Sequence, residues 1–280
     1  MKRLFKLSLF VFTTLLLVGC TALAQKKDGS MQCREGEMVW NEGKLQSNCE
    51  IREQTVPAGG AINVDAGRNG GVAVKGWDRN DVLVRAKVQT SAPSKAEAEQ
   101  LAKEVRIETG GLKIRAEGPD NRENFYWSVS YEIFVPRRSD LSVEAHNGGI
   151  SIGDVNGRME FKTQNGGLSL QGVGGNVRGT TTNGGVHVSL SGARWDGETL
   201  DIRTTNGGVH LAMPDNYSAH LETGTVNGGV SSDFPLNVPL TERGRLPKEI
   251  SVDIGSGGPT IRAITTNGGV RVSRASETRF

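Results

Sequence analysis

The tripeptide Asn-Gly-Gly recurs through this chain, and no other feature restricts its fold as tightly. It stands at Asn69, Asn147, Asn165, Asn183, Asn206, Asn227 and Asn267, with looser versions at Thr109-Gly110-Gly111 and Ser256-Gly257-Gly258. From Asn147 to Asn227 the steps are 18, 18, 23 and 21 residues, the differences between those positions. Self-similarity at such a period marks a solenoid, in which each repeat is one coil that buries its apolar face against its neighbours.

The flanks of the tripeptide support that reading. After each Gly-Gly two apolar residues bracket a polar one, as in Val72 and Val74, Ile150 and Ile152, Leu168 and Leu170, Val186 and Val188, Val209 and Leu211, and Val270 and Val272. Such alternation marks a strand with one face buried. The same period runs backwards from each Asn, with inward positions Leu141, Val143, Ala145; Met159, Phe161, Thr163; Val177, Gly179, Thr181; Leu200, Ile202, Thr204; Leu221, Thr223, Thr225; and Ile261, Ala263, Thr265. These side chains shrink towards the turn, so the core tapers there. Five residues before the turn an outward column reads Ser142, Glu160, Arg178, Asp201, Glu222 and Arg262. Stacked coils would set Glu160 beside Arg178 and Arg178 beside Asp201, contacts of helpful sign though each is small.

Asn-Gly is a strong turn dipeptide because both residues tolerate positive φ, and a second Gly bends without a Cβ to clash. A lone hairpin would explain one such turn. Recurrence at coil length predicts turns stacked in chain order, strands about 4.8 Å apart and Asn side chains hydrogen-bonded up the stack. The expected fold is all-β, a single-chain β-solenoid turning at Asn147, Asn165, Asn183, Asn206, Asn227 and Asn267, with one short helix. Gly makes up 38 of 280 residues and aromatics 5%. Gly at about twice its usual share suits a thin, turn-rich β structure better than a thick core.

The chain divides on this basis into a signal segment over 1–24, an extension over 25–55, first coils with a capping helix over 56–136, and regular repeats over 137–280. The helix is read over 94–106, with Ser94 as N-cap and Ala96, Ala98, Leu101, Ala102 and Val105 as its apolar positions. A cap is needed because a bare solenoid end offers an edge to other chains. Pro235 to Pro247 interrupts the repeat and reads as a long surface loop.

Met1-Lys2-Arg3 and Lys6 precede an apolar run from Leu7 to Val18, a basic region and a hydrophobic region that predict export. Leu17-Val18-Gly19-Cys20 resembles a lipobox, which would lipidate Cys20. Ala22-Leu23-Ala24 is an alternative cleavage site that would release a soluble periplasmic or secreted protein. The lipobox is preferred, and Thr21 after the Cys favours the outer membrane. Cys33 and Cys49 form an even pair in an oxidising compartment and read as a disulfide. The net charge of +2 gives no sign of a nucleic-acid partner, and the only membrane contact expected is a lipid on Cys20.

The run from Asn147 to Ser273, with Thr-Thr-Asn-Gly-Gly-Val blocks at Thr181, Thr204 and Thr265, resembles the DUF4097 family of bacterial β-strand-repeat proteins, often described as adhesin-like. Trp195-Asp196-Gly197 and Tyr217-Ser218-Ala219 add to the resemblance. It implies an exported β-solenoid with no established catalytic residues to carry over.

Three constellations compete with a purely architectural reading. His187 and His210 follow successive Gly-Gly-Val segments, so their imidazoles would stack and could share a metal ion. Their column also holds Ser151, Ser169, Ser231 and Arg271, which makes it simply polar, while His146 and His220 fall elsewhere. Asp201 and Glu222 are the carboxylates a polysaccharide-active enzyme would need about 5 to 10 Å apart, yet Arg178 and Arg262 share their column and make it a charge ladder. Thr182, Thr205 and Thr266 form a Thr array broken by His146, Gln164 and Val226. Trp77, Trp127 and Trp195 are the candidate aromatic contacts for a partner, or plugs at the ends and corners. No catalytic, cofactor or metal residues are assigned. The expected function is a non-catalytic cell-envelope protein presenting a rigid surface to an envelope protein or carbohydrate. The alternatives are a polysaccharide-active enzyme and an assembly module.

Overall fold

The computed structural model describes residues 31–33, 45–120 and 122–275, and Cys20 and the signal segment lie outside them. The chain is mostly β and solenoid-like. Its first strands are β1 (Gln46–Pro57), β2 (Ile62–Asp65), β3 (Val72–Trp77) and β4 (Asp81–Ala92), followed by helix α1 (Lys95–Glu104). Next come β5 (Arg106–Glu108), β6 (Lys113–Glu117), β7 (Tyr126–Pro136), β8 (Leu141–Ala145), β9 (Ile150–Gly153), β10 (Asn156–Asn165), β11 (Leu168–Gln171), β12 (Gly174–Asn183) and β13 (Val186–Ser189). The last are β14 (Thr199–Asn206), β15 (Val209–Met213), β16 (Ala219–Asn227), β17 (Val230–Ser232), β18 (Glu249–Ile254), β19 (Thr260–Asn267) and β20 (Val270–Arg274). Among the described residues no helix is long and apolar enough to cross a membrane.

Two 10-stranded sheets face each other across one apolar core. Strands that run into an Asn-Gly-Gly segment form one, the entry sheet, and strands that leave it form the other, the exit sheet. Alternation fixes which side chains lie between them: on β10 Met159, Phe161 and Thr163 are buried while Glu160 and Lys162 face out.

The corner between the sheets is held by three devices. Asn side chains donate Nδ2–H to the next Asn Oδ1 in an unbroken run: Asn147 to Asn69, Asn165 to Asn147, Asn183 to Asn165, Asn206 to Asn183, Asn267 to Asn206 and Asn227 to Asn267, all at 2.7–2.9 Å. At five of the seven motifs a buried Thr two residues before the Asn donates its hydroxyl to the carbonyl of the first Gly on the neighbouring coil. Thr163 reaches Gly148, Thr181 reaches Gly166, Thr204 reaches Gly184, Thr265 reaches Gly207 and Thr225 reaches Gly268, at 2.7–2.9 Å. The taper of the core therefore has a polar reason, since these hydroxyls satisfy carbonyls at the part-buried corner. Finally, the first Gly of each motif lies against that same neighbour: a Cβ on Gly184 would come 2.0 Å from Gly166 O, and one on Gly207 2.1 Å from Gly184 O.

That close approach corrects the conformational reason for the tripeptide. Of these motif residues only Gly268 has a positive φ, at 155°. The tripeptide needs glycine because neighbouring backbones touch, and no left-handed turn is involved at the other corners. The looser versions are a different structure. Gly111 (φ 62°) lies between the antiparallel β5 and β6, and Gly257 (φ 73°) lies between β18 and β19, so neither pair passes from one sheet to the other.

Chain order is the second correction. The coils do not stack in sequence. In the entry sheet the spatial order is β18-β16-β19-β14-β12-β10-β8-β2-β6-β5, and the exit sheet matches it with β17-β20-β15-β13-β11-β9-β3-β7-β4-β1. The last coil, β19 and β20, is thus inserted between β14/β15 and β16/β17. At the opposite end the first coil, β2 and β3, is inserted between β6/β7 and β8/β9. Charge explains the advantage at the first of these places. The outward column becomes Glu160, Arg178, Asp201, Arg262, Glu222, with signs alternating throughout. Chain order would have put Asp201 directly beside Glu222, and like charges opposite one another destabilise a sheet.

Antiparallel strands lie outside the parallel stack: β4 and β1 beyond β7, β5 beyond β6, and β18 beyond β16. Beyond β17 the chain enters the irregular segment 233–248, whose Phe234 is buried against the core. Helix α1 packs Ala98, Leu101 and Ala102 inward, and its N-cap Ser94 accepts from the Glu97 N–H at 3.3 Å. A disulfide joins Cys33 to Cys49.

Candidate functional site

The outer face of the entry sheet carries its side chains in columns, because each coil repeats the same register. One residue before the Asn, the outward column reads Arg68, His146, Gln164, Thr182, Thr205 and Thr266 in spatial order. Two residues further back, three on β2, a second column reads Asp65, Glu144, Lys162, Thr180, Arg203 and Ile264, paired strand to strand. Between the two columns on β10, β12 and β14 stands the corner residue, Thr163, Thr181 or Thr204, whose hydroxyl is turned away to a Gly carbonyl. Together they line a groove of about 890 Å³ that crosses six successive strands, β2, β8, β10, β12, β14 and β19. Arg203 is steadied by Asp201, its Nε and Nη2 donating to the two carboxylate oxygens at 2.9 and 3.0 Å.

Sequence patterning placed these columns but not the groove. The broken Thr array at Thr182, Thr205 and Thr266 proves to be part of its wall. Val226, which would have followed Thr205 in chain order, stands on β16 beyond β19 and does not line it. The inserted coil supplies Ile264 and Thr266 instead. The alternation of charge signs was the one available sequence signal for that insertion.

The remaining candidates are placed as follows. Asp201 and Glu222 are not neighbours: Arg262 lies between them, with its Nε donating to Glu222 at 2.6 Å. The two carboxylates are thus members of a charge ladder, Glu222 paired with Arg262 and Asp201 with Arg203. His187 and His210 are register partners with ring centroids 5.7 Å apart, edge to face. His210 Nε2 is hydrogen-bonded to Ser273 Oγ at 2.7 Å. Burial first, then His187 and Arg271, hold the His210 imidazole below its ordinary value of 6.5. Among the described residues no group of three or more His, Cys, Asp or Glu is placed to hold a metal ion.

One constellation was missed because it depends on the antiparallel β18. His220 Nδ1 lies 2.8 Å from Asp253 Oδ1, and its Nε2 lies 3.1 Å from Ser251 Oγ. That is the hydrogen-bond order of a serine relay. Asp253 is 68% exposed, so water screens the carboxylate that such a relay must keep dry to orient and stabilise an imidazolium. The three are better understood as a strut tying β18 to β16.

The tryptophans are largely structural. Trp195 is 3% exposed and donates Nε1–H to Gly175 O at 2.9 Å, so it fills a corner and is not a contact surface. Trp77 is half-buried, stacks on Phe134 at 5.4 Å and carries the Arg79 guanidinium over its ring at 4.4 Å. Trp127, also half-buried, donates to Pro119 O at 2.8 Å.

The repeated coil geometry coincides with a family match: the family model described as Toastrack DUF4097 covers residues 135–273. This part of the chain is a Toastrack domain. The groove is shared between the Toastrack domain and the preceding segment, since Asp65, Gly67 and Arg68 lie outside the match. Among solved structures, the chain is similar to a candidate cell adhesion protein from Clostridium sporogenes, with 12% identity, 81% of this chain and 100% of that one covered, and a TM-score of 0.41. It is also similar to a candidate adhesin from Bacteroides fragilis, with 10% identity, 81% and 97% covered, and a TM-score of 0.34. A candidate lipid binding protein from Parabacteroides distasonis shows 9% identity, 82% and 97% covered, and a TM-score of 0.37. No curated protein matches the chain.

Proposed function

We propose that this protein is a non-catalytic component of the bacterial cell envelope, a solenoid paced by its Asn-Gly-Gly segments, that presents one rigid face to a carbohydrate or protein partner. It is exported and held at the outer membrane by a lipid on Cys20. A lipid anchor holds a protein through its buried methylenes, at about 0.8 kcal/mol each, so it positions the domain at the membrane without burying it.

The observation that carries this reading is the groove across the six strands, lined by exposed polar side chains whose backbones are fixed from behind. Neighbouring coils are tied by Asn–Asn bonds and backbone pairing, and from Thr163 onward by Thr–Gly bonds as well. Binding to such a face orders few new degrees of freedom in the protein, which lowers the cost of association. The polysaccharide-active alternative has less support, because Asp201 and Glu222 are each paired with an arginine, Arg203 and Arg262.

The test is retention of envelope components by the immobilised full chain, compared with a Thr182→Arg/Thr205→Arg variant and with Ser169→Arg on the exit face. All three positions are exposed, so folding is unaffected. Retention lost in the first variant and kept in the second is the expected result. Equal retention by all three would remove this face from the function.

A further inference from the structure

The groove repeats along the stack axis, at right angles to the strands, and its ligand must repeat with it. Neighbouring coils present equivalent side chains about 4.8 Å apart, so six strands give five steps and a run of about 24 Å. We infer that the groove binds a linear, extended, β-linked polysaccharide of neutral sugars, one sugar per coil. This rests on the reading of the entry face as a binding surface and goes beyond it by naming the ligand class and its register.

Three features of the lining select that class. The first is pitch. An extended polypeptide advances about 3.3 Å per residue, so a peptide lying along the groove falls out of step with the coils after one or two residues. The advance of an extended pyranose chain is close to the strand spacing and stays in step. The second is chemistry. Gln164, Thr180, Thr182, Thr205 and Thr266 line the groove with hydroxyl and amide groups that both donate and accept, which is the complement of sugar hydroxyls. Among the described residues no Phe, Tyr or Trp lines it, so recognition proceeds by hydrogen bonds along the edges of the sugars and not by stacking on their faces. The third is charge. Arg68 and Lys162 are balanced by Asp65 and Glu144, and Arg203 is already held by Asp201. A polyanion needs a run of unopposed cations to displace its counterions, and this groove has none. A neutral chain meets no such mismatch.

The groove is also on a sheet face, away from every sheet edge. Strand addition, the usual way an extended peptide gains main-chain hydrogen bonds, is therefore closed to a ligand seated there.

The experiment is calorimetric titration of the full chain with β-1,4-linked N-acetylglucosamine oligomers from the disaccharide to the octasaccharide. Polygalacturonate oligomers and an extended Ser-rich peptide serve as parallel arms. Affinity should rise by about fivefold per sugar, about one net hydrogen bond each, through the hexasaccharide and then level off. Thr182→Arg/Thr205→Arg should weaken the hexasaccharide at least tenfold with an unchanged melting temperature, and Ser169→Arg should not. A disaccharide that binds as well as the hexasaccharide overturns the one-sugar-per-coil register. Preference for the polyuronate or the peptide overturns the neutral-glycan assignment. If the chain binds no oligosaccharide yet still retains an envelope protein through the same face, the glycan assignment fails and the binding-face reading survives. If the face retains nothing at all, both fail together.

Discussion

Alanine at Gly184 and alanine at Gly185 are the same change in adjacent residues, yet the stack treats them differently. A Cβ on Gly184 would overlap the carbonyl of Gly166 at 2.0 Å, whereas one on Gly185 comes no closer than 3.7 Å to backbone, at Gly208 O. The backbone that blocks Gly184 is itself pinned, because Gly166 O accepts from the Thr181 hydroxyl. Gly184→Ala should therefore cost about 3 kcal/mol, the upper range of overpacking, while Gly185→Ala should stay within about 0.5 kcal/mol, as at an ordinary surface position. Denaturant titration of the two variants measures this, and equal losses would refute the close-packed corner. The glycines, the Asn residues and the small Thr column were all readable from the sequence as columns. Their reasons were not, because each is a contact with an atom on a neighbouring coil: Thr181 with Gly166, Asn183 with Asn165, Gly184 with Gly166.

Among the elements, the placement of β19 and β20 has the widest consequences. Inserted between β14 and β16, β19 pairs with both in parallel register, so among the described strands β16 pairs only with β19 and with the outer β18. An ordinary terminal coil would fray alone, since each repeat of a solenoid depends only on its neighbours. Here the last coil in the chain is internal in space. A chain ending at Gly258 should lose protection over Ala219–Ile254 as well, seen as rapid amide exchange and new proteolytic cuts in that segment. Protection retained there would mean that β16 pairs directly with β14, contrary to the observed order. The sequence carried one hint of this arrangement: the outward signs read Asp201, Glu222, Arg262 along the chain, and only exchanging the last two coils makes them alternate. Periodicity alone is blind to such an exchange, because every coil presents the same inward pattern.

For the molecule as a whole, the same device appears at both ends of the stack. The first and last coils are locked inside it, and antiparallel strands β1, β4, β5 and β18 lie outside, so few parallel edges are left to recruit other chains. Most of its pairings are therefore long-range, which predicts slow folding for its size. The class of fold, the coil length, the helix at Ser94 and the interruption after Pro235 could be read from residue pattern. The antiparallel caps could not, since β4 begins with the same alternation as the coils, with Val82, Val84 and Ala86 buried. Nor could the groove, which exists only because six strands from distant parts of the chain come into register. Its far end is the telling place. In space the wall ends at Thr266 of the inserted coil, while in the sequence the residue after Thr205 in that column is Val226, which is 60% exposed on β16. The decisive measurement compares hexasaccharide affinity in Thr266→Arg and Val226→Arg by titration calorimetry. A loss confined to Thr266→Arg is the predicted result. A loss confined to Val226→Arg, or no loss in either, would contradict a binding groove built across the six strands in their spatial order.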